Sequence, residues 1–131
     1  KSYLALSYGQ PDKFKDIIDN KLIRYEGKKR ILERAITKYN VIDTNNNFSL
    51  FKLNPITGRK HQIRKHLYDL NCPVIGDKKY FIKKQNKNTN LMLHAYEIKF
   101  ILNEKKYTFN APIPSDFINA LIKNNLKVKD F

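Results

Sequence analysis

The sequence predicts an α+β fold with a mainly antiparallel β-sheet and a few short helices. Two pairs of strand-like runs are each joined by an asparagine-containing turn, which is typical of β-hairpins. Two other segments repeat apolar residues at spacings of three and four, which is typical of helices packed along one face. With 131 residues, of which 41% are hydrophobic, the chain has the length and composition of one folded domain.

The first predicted element is a strand over Tyr3–Tyr8, which ends at Gly9. Because this strand begins almost at the first residue, we expect its sheet neighbours to lie upstream and the chain to be a piece of a longer protein. Residues 10–34 show weak periodicity. Their basic stretch Lys28–Arg30, with Arg34, favours an exposed loop or a short ribbon.

Two hairpins follow from the alternating runs. The first pairs Ala35–Ile42 with Phe48–Leu53 around three consecutive asparagines. The second pairs Leu91–Leu102 with Tyr107–Asn110 around Asn103 and Glu104. The sequence therefore predicts at least four antiparallel strands besides the first.

Two helices complete the predicted elements. The segment from Lys60 to Leu70 places Ile63, Leu67 and Leu70 on one apolar stripe. The last helix is expected to be capped by Ser115, to end at Asn124 and to pack through Phe117, Ile118, Leu121 and Ile122. Between the two helices, Pro73–Asp77 is predicted to be a turn, and the Lys/Asn-rich stretch 78–90 a mobile loop.

The charge balance indicates a polyanionic partner. The chain has 26 Lys and Arg against 12 Asp and Glu, a formal net charge of +14. Such a surface attracts nucleic acid first and anionic membrane second. A lysine- and asparagine-rich composition set by coding bias is the alternative explanation.

The cysteine count and hydropathy exclude several classes of protein. Cys72, the one cysteine, cannot form an intrachain disulfide or a cysteine-based zinc site. No apolar run is long enough to span a bilayer, and no signal peptide opens the chain. We therefore expect a cytoplasmic protein.

The most informative segment is Leu53–Leu67. Thr57 and Gly58 are expected to turn the chain out of a strand, so that the first N–H groups of the next helix form an anion pocket. Arg59 suits bidentate phosphate binding, and the other candidate RNA contacts beside it are Lys60, His61 and Lys65. The alternative is a solvated helix face.

Two further residues of this segment have different expected roles. Arg64 follows the apolar Ile63, so its guanidinium is expected to be half-buried and to need a carboxylate partner. His61 and His66 are five residues apart and do not share a helix face well enough to suggest a metal pair.

These residues match a known family. The segment 53–67 reads Leu-x-Pro-x-Thr-Gly-Arg-x-His-Gln-Ile-Arg-x-His-Leu, and it is followed by Cys-Pro-Val-Ile-Gly-Asp-x-x-Tyr at 72–80 and Leu-Met-Leu-His-Ala at 91–95. Together with Tyr3-x-Ala-x-x-x-Gly9, Thr37-x-Tyr39 and Phe109-x-Ala111-Pro112, this order closely resembles the RluA/RluC-type large-subunit rRNA pseudouridine synthases.

The resemblance implies an enzyme that flips a uridine out of RNA, breaks its N-glycosidic bond and rejoins the base through carbon 5. It implies no metal and no organic cofactor. The family's nucleophile is an aspartate in a His-Arg-Leu-Asp-x-x-Thr-Ser-Gly segment upstream of the first strand, and no aspartate of this chain has that context. Residues 1–131 thus resemble the C-terminal half of the catalytic domain, without an S4-like RNA-binding domain.

Roles are carried over from the family by motif position. Arg64 matches the arginine that pairs with the catalytic aspartate, so it is expected to be orphaned in this chain. Tyr3 matches the tyrosine that stacks on the target base and is a candidate for proton transfer at carbon 5. Leu93 is the expected apolar wall of the uracil pocket, although Leu91 and plain core packing remain alternatives.

Two other residues of the family motifs are given structural roles. Asp77 is expected to anchor a turn, and His94 to satisfy a backbone hydrogen bond. Two hypotheses follow. The chain is part of an rRNA pseudouridine synthase with no turnover of its own, or it is a stand-alone basic module that binds structured RNA without chemistry.

Overall fold

The structure, a computed structural model, describes residues 1–82 and 89–127. It contains six strands, β1 (Ser2–Tyr8), β2 (Lys15–Glu26), β3 (Lys29–Thr44), β4 (Phe48–Pro55), β5 (Leu93–Leu102) and β6 (Lys105–Asn110). Two helices, α1 (Gln62–Asp69) and α2 (Ser115–Lys123), complete the fold. None of the described helices combines the length and the apolar character needed to cross a membrane.

All six strands form one sheet in the order β2-β3-β4-β1-β5-β6, and every neighbouring pair is antiparallel. This confirms the predicted α+β class. Leu4, Ala5 and Leu6 are consecutive and fully buried, and successive residues of a strand point to opposite faces. The centre of the sheet is therefore covered on both faces.

The position of β1 differs from the expectation. Tyr3 of β1 pairs with Leu53 of β4 on one side and with Ala95 of β5 on the other. The strand thus has both of its neighbours within this chain, and the expectation that they lie upstream is wrong.

The basic stretch Lys28–Arg30, with Arg34, is exposed as predicted, but it belongs to a long hairpin and not to a loop or a short ribbon. Lys15–Glu26 and Lys29–Thr44 form a long hairpin that turns at Gly27, whose φ is 61°. Cross-strand ion pairs link its polar strands, with Arg34 donating to both carboxylate oxygens of Asp19 at 2.8 and 3.0 Å. Most of the β2 side chains are exposed, so the sequence shows no alternation of apolar residues from which these strands could be predicted.

The two predicted hairpins are confirmed. In the first, the Asn45 side chain accepts hydrogen bonds from the backbone N–H groups of Asn47 and Phe48, which closes the turn. In the second, Asn103 and Glu104 have positive φ values of 50° and 65°, as a two-residue hairpin turn requires.

Both helices are present, with differences at α2. Ile63 and Leu67 of α1 are buried, as predicted. In α2, Phe117 and Leu121 are buried, but Ile122 is 60% exposed and does not belong to the packing face. Ser115 is not the cap, because Pro114 holds the N-cap position and no side chain caps the helix.

Residues 83–88 of the predicted mobile loop over 78–90 lie outside the described residues. Before it, Val74 forms a bridge with Ser7, and Ile75 donates its N–H to the carbonyl of Leu6. The segment leading to Asp77 is therefore fastened to the central strand.

Candidate active site

An open cleft of about 560 Å³ lies where β1 and β4 meet the beginning of α1. Five residues singled out from the sequence line it, namely Tyr3, Arg59, His61, Arg64 and Leu93. The other lining residues are Lys1, Pro55, Ile56, Thr57, Gly58, Gln62 and Ile63. No carboxylate is among these described lining residues.

The sheet brings Tyr3 and Leu93 together. Tyr3 pairs with Ala95 in the ladder between β1 and β5, and Leu93 lies two residues before Ala95 on the same face. Of the two leucines considered for the pocket wall, Leu93 lines the cleft and Leu91 does not.

Arg64 is not orphaned, which corrects the expectation. Its Nε donates to Oδ2 of Asp77 at 2.8 Å and its Nη2 donates to Oδ1 at 2.7 Å. The Arg64 side chain is 18% exposed and that of Asp77 is fully buried. The half-buried guanidinium thus has the carboxylate partner that its position required, supplied by the turn after Gly76.

Asp77 also anchors its own turn, as expected. Its Oδ1 accepts the backbone N–H groups of Lys79 and Tyr80 at 3.0 and 2.9 Å. Burial raises the pKa of Asp77, but the hydrogen bonds from Arg64, Tyr80 and Lys79 outweigh burial and hold this pKa below its ordinary value. The pair is therefore ionic at neutral pH.

The third nitrogen of the Arg64 guanidinium, Nη1, remains available for a further hydrogen bond. Among the described residues, Nη1 of Arg64 makes no hydrogen bond, and Arg64 lines the cleft. The ring of Tyr80 lies 5.2 Å from the guanidinium carbon and its hydroxyl is 3.1 Å from Nδ1 of His61. A cation–π contact and a bidentate ion pair thus hold the arginine from two directions.

A buried chain of hydrogen bonds positions the wall of the cleft around Gln62. Its Oε1 accepts from the Thr57 hydroxyl at 2.6 Å and from the N–H of Arg59 at 3.0 Å. Its Nε2 donates to Thr37 Oγ1 and to the carbonyl of Ile36, both at 2.9 Å. Sequence reasoning did not single out Gln62, although it stands in the His-Gln-Ile-Arg motif.

His66 continues this chain away from the cleft. Thr37 Oγ1 lies 2.7 Å from Nδ1 of His66, and Nε2 of His66 lies 2.8 Å from Oδ1 of Asn20 on β2. Since Oδ1 only accepts, Nε2 carries the hydrogen and Nδ1 accepts from Thr37. Burial lowers the pKa of His66 to about 4, so the imidazole is neutral.

The basic residues expected to bind RNA are placed differently from one another. Arg59 lines the cleft, but its Nε donates to the carbonyl of Arg34 at 2.8 Å and its Nη1 lies 3.4 Å from Glu33. Lys60 and Lys65 lie outside the cleft lining, and Nζ of Lys65 donates to the carbonyl of Ile23. Of these four basic residues, Arg59 and His61 line the cleft, and Lys60 and Lys65 do not.

His94 does not have its expected role. It pairs with Leu4, which puts it on the face opposite to that of Tyr3. Its Nε2 is buried without a hydrogen-bond partner among the described residues. No group of His, Cys, Asp and Glu suited to a metal ion occurs in the part of the chain that the structure describes.

The sequence profile of the family described as RNA pseudouridylate synthase matches residues 1–69. The chain belongs to this family. The matched region includes Tyr3, Arg59, His61, Arg64 and Lys65, whereas Asp77 and Leu93 lie beyond it.

Relatives of this chain extend the likeness beyond residue 69. The ribosomal large subunit pseudouridine synthase C of Buchnera aphidicola is 36% identical over 141 aligned positions, covering 96% of this chain and 45% of that protein. An uncharacterized RNA pseudouridine synthase of Zymomonas mobilis is 35% identical, covering 89% of this chain and 58% of that protein. The chain thus spans about half the length of these curated relatives.

Solved structures agree on the fold. Human RNA pseudouridylate synthase domain containing 4 superposes with a TM-score of 0.86 at 23% identity, covering 99% of this chain and 64% of that one. Human RNA pseudouridylate synthase domain containing 1 gives a TM-score of 0.74 at 26% identity, with 87% and 54% coverage.

Proposed function

We propose that this chain forms part of an enzyme that isomerises uridines to pseudouridines in large-subunit (23S) ribosomal RNA. The observation that carries the proposal is the meeting of Tyr3, Arg64 and Leu93 in one cleft, although they come from β1, α1 and β5. The relatives named as ribosomal large subunit pseudouridine synthase C support ribosomal RNA as the substrate.

Each of the three residues has a distinct role in the proposed reaction. A uridine flipped out of the RNA stacks on the Tyr3 ring, with Leu93 as the apolar wall of its pocket. The bond from C1′ to N1 breaks, a bond from C1′ to C5 forms, the proton on C5 is lost and N1 gains a proton. Tyr3 is the candidate for the proton transfer at C5, and Arg64 holds the nucleophilic carboxylate.

The nucleophile is proposed to come from a part of the protein outside these 131 residues. No carboxylate lines the described cleft, and no aspartate of the chain stands in a His-Arg-Leu-Asp segment. Nη1 of Arg64 offers the contact that this carboxylate needs. Arg64 then bridges two acids, with Asp77 on its Nε and Nη2 and the nucleophile on Nη1.

Release of tritium from 23S ribosomal RNA labelled at carbon 5 of uridine tests this function. The full-length protein is expected to release tritium, and the 131-residue chain alone to release none, because nucleophilic catalysis needs its nucleophile. Turnover by the 131 residues alone would overturn the assignment of the nucleophile to another segment. A full-length protein that binds the RNA but never releases tritium would favour the alternative, a basic RNA-binding module without chemistry.

A further inference from the structure

Asp77 is fully buried, and its side chain receives four hydrogen bonds from described residues. Two come from the Arg64 guanidinium and two from the backbone of Lys79 and Tyr80. A turn of this kind needs only the backbone contacts. The two bonds to Arg64 are therefore additional to the turn, and they connect it to α1.

The turn that carries Asp77 is itself firmly placed. Gly76 has a φ of 85°, and a Cβ at this position would overlap the backbone of Asn90. Just before it, Ile75 donates its N–H to Leu6 of the central strand. Asp77 is thus held by the sheet, while Arg64 is held by α1.

We propose that Asp77 is a positioning residue that orients the Arg64 guanidinium toward the catalytic nucleophile, an inference that rests on the proposed function. A free arginine side chain samples many rotamers and pairs readily with phosphates. The guanidinium is planar, so binding of Nε and Nη2 to Asp77 also fixes the direction in which Nη1 donates. The same two bonds keep the arginine away from the RNA backbone. Arg64 is thereby organised before the substrate arrives.

Asp77→Asn in the full-length protein tests this role. The amide keeps an oxygen for the N–H groups of Lys79 and Tyr80 but loses the charge that holds Arg64. We expect kcat for tritium release to fall by about 100-fold, the loss typical of a misplaced catalytic contact. RNA affinity is expected to stay at the parent's value.

Matched variants separate positioning from folding. Asp19→Asn makes the same change in the other bidentate pair, on the exposed hairpin, and is expected to leave kcat at the parent's value. Asp77→Ser is the second variant, since its hydroxyl still accepts a backbone N–H of the turn. Circular dichroism shows which variants fold, and a folded Asp77→Ser is expected to lose kcat as Asp77→Asn does.

A double variant decides how Asp77 acts. In an Arg64→Lys background no guanidinium remains to be oriented, so adding Asp77→Asn is expected to lower kcat no further. If the kcat losses of Asp77→Asn and Arg64→Lys multiply in the double variant, the positioning role is overturned. A folded Asp77 variant with the parent's kcat would overturn it too, provided that the parent is active. A full-length parent that releases no tritium would instead overturn the proposed function.

Discussion

Arg64 and Arg59 both line the cleft, but their guanidinium groups have different surroundings. The Arg64 side chain is 18% exposed, and its guanidinium is bound to a buried carboxylate. The Arg59 side chain is 38% exposed, and its guanidinium lies beside the partly exposed Glu33. The first is suited to fixed electrostatics at the reacting atoms, and the second to exchangeable contacts with phosphate.

Arg64→Lys in the full-length protein keeps a positive charge beside Asp77 but removes the planar fork of donors. We expect turnover at saturating RNA to fall by about 100-fold, because one electrostatic contact to the nucleophile is lost. Filter binding is expected to give the parent's affinity. A loss that appears only in affinity would contradict the catalytic role of Arg64.

Tyr3→Phe keeps the stacking ring and removes only the hydroxyl. Since the hydroxyl is the proposed proton-transfer group, we expect tritium release to be lost and RNA affinity to be kept. Tyr8→Phe is the matched control, because Tyr8 belongs to the same strand but does not line the cleft. A Tyr3→Phe variant as active as the control would limit Tyr3 to stacking.

Arg59→Ala is expected to show the reverse behaviour. Its RNA affinity should fall while the rate at saturating RNA stays close to the parent's, because a phosphate contact positions the RNA without acting on the base. The log–log slope of affinity against salt is expected to drop by about 0.7 to 0.9. If the salt slope were unchanged and the rate at saturating RNA were lower, Arg59 would instead have a catalytic role.

The hairpin of β2 and β3 and the helix α1 are coupled through one buried imidazole. His66 on α1 lies within hydrogen-bond distance of Thr37 on β3 and of Asn20 on β2. Its neutral form is required, because Nδ1 accepts the Thr37 hydrogen. Protonation of His66 therefore loosens the contact between these elements.

This coupling predicts how stability depends on pH. The pKa of His66 is about 4 in the folded chain, whereas an exposed histidine titrates near 6.5. Between these values the unfolded state binds more protons, so the free energy of unfolding falls as pH drops from about 6.5 to 4. The contribution of this group to the fall is about 3 kcal/mol.

Urea unfolding of the parent and of His66→Gln between pH 7 and 4.5 measures this dependence. We expect His66→Gln to be the less stable chain at pH 7 and the difference to shrink toward pH 4.5. The other titrating groups contribute equally to the pH dependence of both chains, so their contributions cancel in the comparison. One of them is His61, whose pKa is lowered mainly by burial. Parallel pH profiles for the two chains would contradict the assignment.

The strands of the sheet show which elements can be predicted from the sequence. The hairpins at Asn45–Asn47 and Asn103–Glu104 were predicted because turn chemistry is local. The β2 strand was missed, because its stabilising ion pairs join residues 15 and 9 positions apart, Asp19 with Arg34 and Arg24 with Glu33. No short-range periodicity records such pairs.

The candidate site likewise combines residues predicted from local motifs with a contact that was not predicted. The motif from Leu53 to Leu67 and the family order singled out Tyr3, Arg64 and Leu93, and the structure shows that all three line one cleft. The partner of Arg64 was not predicted, because Asp77 reaches it only after the chain has turned back at Gly76. The sequence around Arg64 indicated that it needs a carboxylate, but a contact made by tertiary structure leaves no local signal of which carboxylate that is.

The whole molecule carries a formal charge of +14, and the cleft lining contains Lys1, Arg59 and Arg64 but no described carboxylate. We expect the 131-residue chain to bind RNA weakly even without turnover. Its affinity should fall steeply between about 50 and 200 mM salt, because each phosphate contact releases counterions. A flat salt titration would contradict RNA binding by charge.

The central place of β1 has a consequence for how the protein folds. Tyr3 is synthesised long before its ladder partners, Leu53 and Ala95. Such non-local pairing slows folding, because the entropy of closing long loops is lost before the contacts are gained. Tyr3 therefore gains its two neighbouring strands only after two separate hairpins have been made, and the cleft is among the last parts of these 131 residues to assemble.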